Sequence, residues 1–191
     1  MLIRAFLAIE LPAHIQNELK KILLDLQNPA YHHVKWIKPE NIHLTLKFLG
    51  ESRPDELDRL AAEIRPIAAA MRPIELRVHG LGAFPNFKRP RVIWIGVQAP
   101  PSLVRLQQAL EDAAEKIGYP REERPFSPHL TLGRVNREAS HVELTRLGET
   151  IAKKPIGTLG SMNVSQLVLF RSVLKPAGAV YTPLAHFPLN G

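Results

Sequence analysis

The chain has 191 residues, of which 45% are hydrophobic and 23% are charged, a composition typical of a globular domain with a sizeable core. It contains no cysteine, which excludes disulfides, thiol nucleophiles and zinc–thiolate sites. The formal charge of +7 favours a polyanionic partner such as RNA without identifying one. No apolar stretch approaches the twenty residues of a membrane span, and the short N-terminal apolar run is not that of a signal peptide, so we expect a cytoplasmic protein without a membrane partner.

The first half of the chain predicts strands that alternate with helices. Apolar runs predict strands, and apolar residues spaced by three or four predict helices. In chain order, the predicted elements are a strand over Arg4–Pro12, a helix over Ile15–Leu26, a loop, a short strand that begins at His43, a helix over Pro54–Ala70 and a strand over Ile74–Gly82.

The second half of the chain repeats this order. Its predicted elements are a strand over Arg91–Pro100, a helix over Leu103–Ile117, a loop, a strand that begins at His129, a weaker helix over Val142–Ala152 and two strands, Met162–Arg171 and Val180–Phe187, around a turn at Lys175–Gly178. The repeat predicts one α+β domain over residues 1–191, built from units of roughly 1–88 and 89–191. We expect two pseudo-symmetric lobes, each with a small, mostly antiparallel sheet packed on helices, and a cleft between them.

The most informative feature is the tetrapeptide His-Leu-Thr-Leu, which occurs at His43 and again at His129, 86 residues later. In a strand, alternate side chains point to opposite faces. Each copy therefore buries two leucines and presents an imidazole beside a hydroxyl, of Thr45 in the first copy and Thr131 in the second. If the lobes face each other, these four side chains meet across the cleft.

Two histidines and two hydroxyls suit phosphoryl transfer without a metal. Near neutral pH one imidazole can accept a proton while the other, protonated, donates one to a leaving oxygen. Threonine hydroxyls can donate hydrogen bonds to the non-bridging oxygens, where negative charge accumulates. A 2′,3′-cyclic phosphate is an apt substrate, because its strained ring needs only water, a base and an acid.

Two other interpretations of the motif are weaker. A single His-x-Thr strand is often a half-buried structural histidine beside a β-favoured threonine, but a matched pair within a repeat disfavours that interpretation. A metal held by the two histidines is disfavoured, since the strands lack Asp and Glu and transition metals usually take three or more protein ligands. We therefore expect no metal and no cofactor in the site.

With these motifs the chain resembles the two-histidine phosphoesterases, and specifically the bacterial and archaeal RNA 2′,3′-cyclic phosphodiesterases, also called 2′-5′ RNA ligases. The resemblance covers nearly the whole chain. It is carried by Arg4–Ile9, Trp36–Gly50, Gly82–Pro85, Arg89–Trp94 and Phe126–Arg134, with no departure at the four motif positions.

The resemblance implies a bilobal α+β fold and metal-independent hydrolysis of RNA 2′,3′-cyclic phosphate ends to 2′-phosphate ends, with possible reversible 2′-5′ ligation. By resemblance His43 is the general acid and His129 the general base, although pseudo-symmetry makes the reverse chemically reasonable. Thr45 and Thr131 hold the phosphate oxygens. The implied partners are RNA with cyclic phosphate ends or small cyclic nucleotides, and we expect a monomer.

Three further residues are candidates for substrate binding. Arg134 follows the second motif and is expected to contact phosphate or base; Phe84 is a candidate stacking surface for a nucleobase. Lys47 shares the face of His43 and Thr45 if the strand is regular.

His32 and His33 are interpreted as surface residues.

Alternative functions remain open at this point. The cleft could belong to a non-catalytic module that binds RNA ends or nucleotides, or to a phosphodiesterase for another small 2′-5′ or cyclic nucleotide substrate.

Overall fold

The computed structural model describes residues 1–176 and 178–191, and it confirms the predicted α+β class. The helices are α1 (Ala13–Leu26), α2 (Pro54–Ala69), α3 (Pro101–Ile117) and α4 (His141–Ala152). The strands are β1 (Ile3–Glu10), β2 (Val34–Trp36), β3 (His43–Ser52), β4 (Ile74–Phe84), β5 (Val92–Gln98), β6 (His129–Val135), β7 (Thr158–Val164), β8 (Gln166–Lys175) and β9 (Gly178–Pro188). Within these described ranges, no helix is long and apolar enough to span a bilayer.

The strands form one antiparallel sheet in the order β7-β4-β5-β6-β3-β1-β8-β9, with β2 added beside β6. We call β3-β1-β8-β9 the His43 half-sheet and β7-β4-β5-β6 the His129 half-sheet. A single residue pair, Leu44 with Leu130, joins them between β3 and β6. The two expected small sheets are therefore halves of one continuous sheet.

The sequence units exchange strands between the half-sheets. Strand β4 comes from the first unit but pairs with β5, and β8 comes from the second unit but pairs with β1. This exchange explains why the predicted strand Met162–Arg171 is wrong: the chain leaves β7 at one edge of the sheet and enters β8 in the other half, with Ser165 between them. The division of the chain at residues 88 and 89 stays a prediction. The turn predicted over Lys175–Gly178 includes residue 177, which lies outside the described residues.

The helices cover one face of the sheet. The apolar residues spaced along them, such as Leu19, Leu60 and Leu106, join the main core together with Leu44 and Leu130, and all five are fully buried. Burial of each such side chain contributes roughly 1.5–3 kcal/mol to the free energy of folding. The opposite face, which we call the site face, carries a smaller apolar cluster of Phe6, Ala8, Val168 and Phe170. The leucines of both motifs thus fix which face their histidines and threonines occupy.

Candidate active site

The four motif side chains meet where the half-sheets join. Leu44 and Leu130 lie opposite each other in antiparallel strands, so the residues flanking them are neighbours: His43 lies beside Thr131, and Thr45 beside His129. All four flanking residues are half-buried, whereas both leucines are 0% exposed. The alternation of the strands therefore places two imidazoles and two hydroxyls together on the site face.

Both imidazoles are held in the same way. Nδ1 of His43 lies 2.9 Å from the backbone oxygen of Asn41, and Nδ1 of His129 lies 2.7 Å from that of Ser127. A carbonyl oxygen only accepts hydrogen bonds, so each Nδ1 carries a proton and donates it. In the neutral ring Nε2 then has the free lone pair, and in the protonated ring it carries the second proton. Each histidine can thus act as a base or an acid through Nε2.

Aromatic side chains surround each imidazole. The His43 ring stacks on Phe6 at a centroid distance of 4.7 Å and meets the edge of Tyr181 at 5.2 Å. The His129 ring lies edge-on to Phe84 at 5.0 Å, with Trp94 at 6.4 Å. These contacts restrict the orientation of the rings and remove water from them.

Removal of water makes both imidazoles harder to protonate. Burial, reinforced by the positive charge of Arg134 and opposed by the hydrogen bond to Asn41, lowers the pKa of His43 from 6.5 to about 4. Burial also lowers the pKa of His129, where Arg134 acts in the same direction and the bond to Ser127 opposes it. In the ligand-free protein at neutral pH both rings are therefore mostly neutral.

A β-bulge follows the threonine of each motif. The register between β1 and β3 shifts after Thr45, so Leu46 is the extra residue, and the register between β5 and β6 shifts after Thr131, so Leu132 is the extra residue. A bulge reverses the alternation of side chains beyond it. In a regular strand Arg134, three residues after Thr131, would point away from the site.

The bulge at Leu132 instead keeps Arg134 on the site side. Its side chain is exposed, and its charge lowers the pKa of His43 and of His129 and opposes the burial-driven rise in the pKa of Tyr181. The sequence candidate Arg134 thus lies near the motif residues of both half-sheets, where a guanidinium can bind an anion.

The matching bulge at Leu46 makes the prediction for Lys47 wrong. Lys47 is only 4% exposed, and its Nζ lies 2.7 Å from Oε2 of Glu111 on α3 and 2.9 Å from the backbone oxygen of Pro120. Gln107 completes this buried polar group by donating to Glu111 Oε1 at 3.1 Å. The amine is therefore engaged on the helix side of the sheet and does not share the face of His43 and Thr45.

Phe84 lies beside the site, but its contacts differ from those expected. Its ring packs against Trp94 at 5.0 Å as well as against His129. Residue 82 must be glycine for this packing, because a Cβ there would overlap the Trp94 ring. Phe84 thus supports the second imidazole, and its stacking on a nucleobase stays a prediction.

Sequence reasoning missed three aromatic residues near His43. Phe6 lies in an apolar strand with nothing to distinguish it from core, and Tyr181 reaches the site from β9, far away in sequence. Phe48 is 57% exposed, with its ring 6.3 Å from that of Phe6. The repeat could have signalled Phe48, because it stands 86 residues before Arg134 and occupies the equivalent position after the bulge.

The assembled groups can bind and cleave an anionic phosphate ester. Two Nε2 atoms are available to move protons, two hydroxyls to donate hydrogen bonds, and Arg134 to balance negative charge. The pair of histidines needs one protonated and one neutral ring, and an anion bound between them favours the first protonation. This donor set fits a phosphate diester.

Comparison with known proteins gives the same indication. The sequence matches the family model of the 2′-5′ RNA ligase superfamily over residues 11–173. It is 38% identical to the RNA 2′,3′-cyclic phosphodiesterase of Methanothermobacter thermautotrophicus over 99% of this chain and 100% of that one. It is 34% identical to the protein of that name from Archaeoglobus fulgidus, over 96% of this chain and 99% of that one.

Solved structures share the fold over the full length. A Thermus thermophilus protein superposes with a TM-score of 0.82 at 31% identity, covering 98% of each chain. Escherichia coli LigT in complex with 3′-AMP superposes with a TM-score of 0.80 at 27% identity, covering 100% of each chain.

Proposed function

The chain belongs to the 2′-5′ RNA ligase superfamily of two-histidine phosphoesterases, and from this membership we propose that it is a metal-independent RNA 2′,3′-cyclic phosphodiesterase. The observation that carries the proposal is the meeting of both His-x-Thr pairs around Leu44 and Leu130, with each Nδ1 bound to a carbonyl and each Nε2 left for proton transfer. The product is an RNA end with a 2′-phosphate.

In the proposed reaction His129 acts as the base and His43 as the acid. Nε2 of His129 takes a proton from water, whose oxygen attacks phosphorus opposite O3′. The P–O3′ bond breaks, and Nε2 of His43 gives its proton to O3′. Thr45 and Thr131 donate hydrogen bonds to the non-bridging oxygens as charge builds on them.

Substrate binding sets the protonation state that this reaction needs. Because both imidazoles have lowered pKa values in the free protein, the anionic phosphate must raise the pKa of one of them on binding. We expect kcat/KM, which reports the free enzyme, to be highest below pH 6.5, and kcat, which reports the complex, to be highest at a higher pH. A single pH optimum shared by both parameters would contradict this coupling.

Arg134 and Phe84 are proposed to bind the substrate. Arg134 would contact the phosphate or the base from the site side of β6, and Phe84 would offer its remaining ring surface to a nucleobase while it supports His129. One chain supplies every proposed group, so we propose that the protein acts as a monomer. We also propose that it acts in the cytoplasm, on RNA ends and on small cyclic nucleotides. Size-exclusion chromatography with light scattering measures the oligomeric state.

The same site could also join RNA ends, by the reverse of 2′-5′ linkage cleavage. When a 5′-hydroxyl replaces water as the nucleophile, attack on the cyclic phosphate breaks the same P–O3′ bond and leaves a 2′-5′ linkage. We propose this as a minor activity, because water greatly exceeds RNA ends in concentration.

The deciding experiment is incubation of the pure protein with nucleoside 2′,3′-cyclic phosphates, with an RNA that carries such an end, and with a 2′-5′-linked dinucleotide. We expect hydrolysis of the cyclic substrates, a 2′-phosphate product by phosphorus NMR, and no loss of rate with EDTA. Tight binding without turnover would overturn the proposal in favour of a nucleotide-binding module. Turnover of the 2′-5′ linkage alone would favour a phosphodiesterase for small 2′-5′-linked nucleotides.

A further inference from the structure

A second cluster of metal-ligating side chains lies apart from the motif histidines. His32 and His33 precede β2, and Glu143 lies in the first turn of α4. Nε2 of His32 lies 3.6 Å from Oε1 of Glu143, and Nδ1 of His33 lies 3.4 Å from the same oxygen. One atom of each residue is within 4.8 Å of the other two. Two imidazoles and a carboxylate thus converge from separate elements.

The interpretation of His33 as a surface residue is wrong. Its side chain is 5% exposed, and neither ring nitrogen makes a hydrogen bond with the described residues. The 3.4 Å approach of Nδ1 to Glu143 lacks the alignment of a hydrogen bond. A buried imidazole without a partner costs about 1–3 kcal/mol. An ion between Nδ1 and the carboxylate would give this nitrogen the partner that the protein does not supply.

The two oxygens of Glu143 have separate tasks. Oε2 accepts hydrogen bonds from the backbone nitrogen and the hydroxyl of Ser140, each at 2.7 Å, and so caps α4. Oε1 faces the two histidines. The cap holds the carboxylate in place and leaves one oxygen for a ligand, as in metal sites whose ligating carboxylates are themselves hydrogen-bonded.

The spacing of these atoms fits a small transition metal ion. Zinc lies about 2.0–2.1 Å from nitrogen and about 2.0–2.2 Å from carboxylate oxygen, so neighbouring ligand atoms in a tetrahedron are about 3.3–3.5 Å apart. The 3.4 Å between Nδ1 of His33 and Oε1 agrees with such an edge, and the 3.6 Å between Nε2 of His32 and Oε1 is slightly longer. Imidazole nitrogen favours zinc, copper and nickel over magnesium or calcium. We propose that His32, His33 and Glu143 bind a divalent first-row transition metal ion, with Zn²⁺ as the best fit and water as the fourth ligand.

Such an ion would join the segment before β2 to the start of α4. The segment before β2 also meets α4 where Tyr31 and Thr150 share a hydrogen bond of 2.7 Å, and the backbone oxygen of His33 accepts from the backbone nitrogen of Asn136, which directly follows β6. Strand β2 pairs in turn with β6, the strand of His129. The ion would therefore stabilise the fold beside the His129 half-sheet, without taking part in the proposed reaction.

The test is titration of untagged, chelator-treated protein with ZnCl₂ by calorimetry, with thermal unfolding as a second measurement. We expect one equivalent of Zn²⁺ to bind and the unfolding midpoint to rise, because the ion binds the folded state. Mg²⁺ at the same concentration should do neither.

Two variants test the proposed ligands, and a third is the control. His32→Gln changes an exposed side chain, and Glu143→Gln keeps a residue that can form the capping box, so both should fold normally and bind Zn²⁺ at least about ten-fold more weakly. His79→Gln, which changes an exposed histidine on β4, should bind like the wild type.

Absence of binding at about 100 µM Zn²⁺, a concentration that saturates any site strong enough to stabilise the fold, would overturn the proposal. Unchanged binding by His32→Gln would overturn it too. Co²⁺ gives an independent reading: intense visible absorption indicates four or five ligands, and the weak spectrum of the hydrated ion contradicts the site.

Discussion

The two half-sheets have the same backbone frame but different linings. Positions 86 residues apart have equivalent partners: Thr45 pairs with Ala8 as Thr131 pairs with Trp94. Phe170 in the His43 half-sheet likewise stands where Phe84 stands in the other. The frame, which includes a bulge after each threonine, positions the motif histidines and threonines, and the lining is free to differ.

The lining differs most just beyond the bulges. Phe48 and Arg134 occupy equivalent exposed positions, so one half-sheet offers an aromatic ring and the other a positive charge. On the helix side, Lys47 is equivalent to Gly133, where a side chain would collide with Trp36 of β2. The repeat thus presents a symmetric pair of proposed catalytic histidines within an asymmetric surface, which suits a substrate with a nucleoside on one side of its phosphate.

The largest expected effects test the symmetric part. His43→Ala and His129→Ala should each lower kcat on a nucleoside 2′,3′-cyclic phosphate by about 10³-fold or more, because each removes one proton-transfer group. His79→Ala, on the exposed side of β4, is the control and should keep full activity. Full activity in either motif variant would show that the two half-sheets do not share the reaction.

The next effect concerns stability and Lys47, which follows the bulge at Leu46 and lies on the helix side of the sheet. Lys47→Met leaves Glu111 buried without its partner and should lower the free energy of unfolding by about 3–5 kcal/mol, measured by urea denaturation. The matched double variant Lys47→Met with Glu111→Leu should recover most of the loss. KM for the folded protein should not change. A raised KM with unchanged stability would place Lys47 in the substrate site after all.

A third effect separates the two histidines by pH. The folded-state pKa of His43, about 4, is below its unfolded value of 6.5, so the unfolded chain binds more protons between these values. His43 should therefore cost roughly 3 kcal/mol of stability as the pH falls from 6.5 to 4. His43→Asn should lose this contribution, and His129→Asn should lose the smaller contribution of its own ring, which is less deeply buried. Equal changes in the two variants would show that the half-sheets bury their histidines alike.

The smallest effects probe the lining. Arg134→Met and Phe48→Ala should each reduce kcat/KM by about ten-fold, the first through lost charge and the second through lost stacking. Only Arg134→Met should weaken the dependence of kcat/KM on salt, because ionic screening acts on the charge. Identical salt dependence in both variants would mean that the two positions do not divide charge and stacking between them.

Much of this arrangement could be predicted from local sequence. Alternation in the two His-Leu-Thr-Leu strands indicates which residues face the site, and apolar spacing predicts all four helices to within a few residues. The wrong predictions have specific causes. The prediction for Lys47 is wrong because nothing in the motif indicates the bulge at Leu46. The single strand over Met162–Arg171 is wrong because no local pattern distinguishes one strand from two strands that pair in different half-sheets. His33 was misplaced because its polar neighbours do not reveal the helix that covers it.

Local sequence is enough to place the two imidazoles and the two hydroxyls on one face, because the strand period is two and the leucines must be buried. The partners of these groups depend on how distant parts of the chain pack together. The exchange of β4 and β8 between half-sheets, the reversal of faces after each bulge and the approach of Glu143 to His32 and His33 all bring together residues distant along the chain. Such contacts depend on strand pairing and packing over long separations, which no short-range pattern encodes.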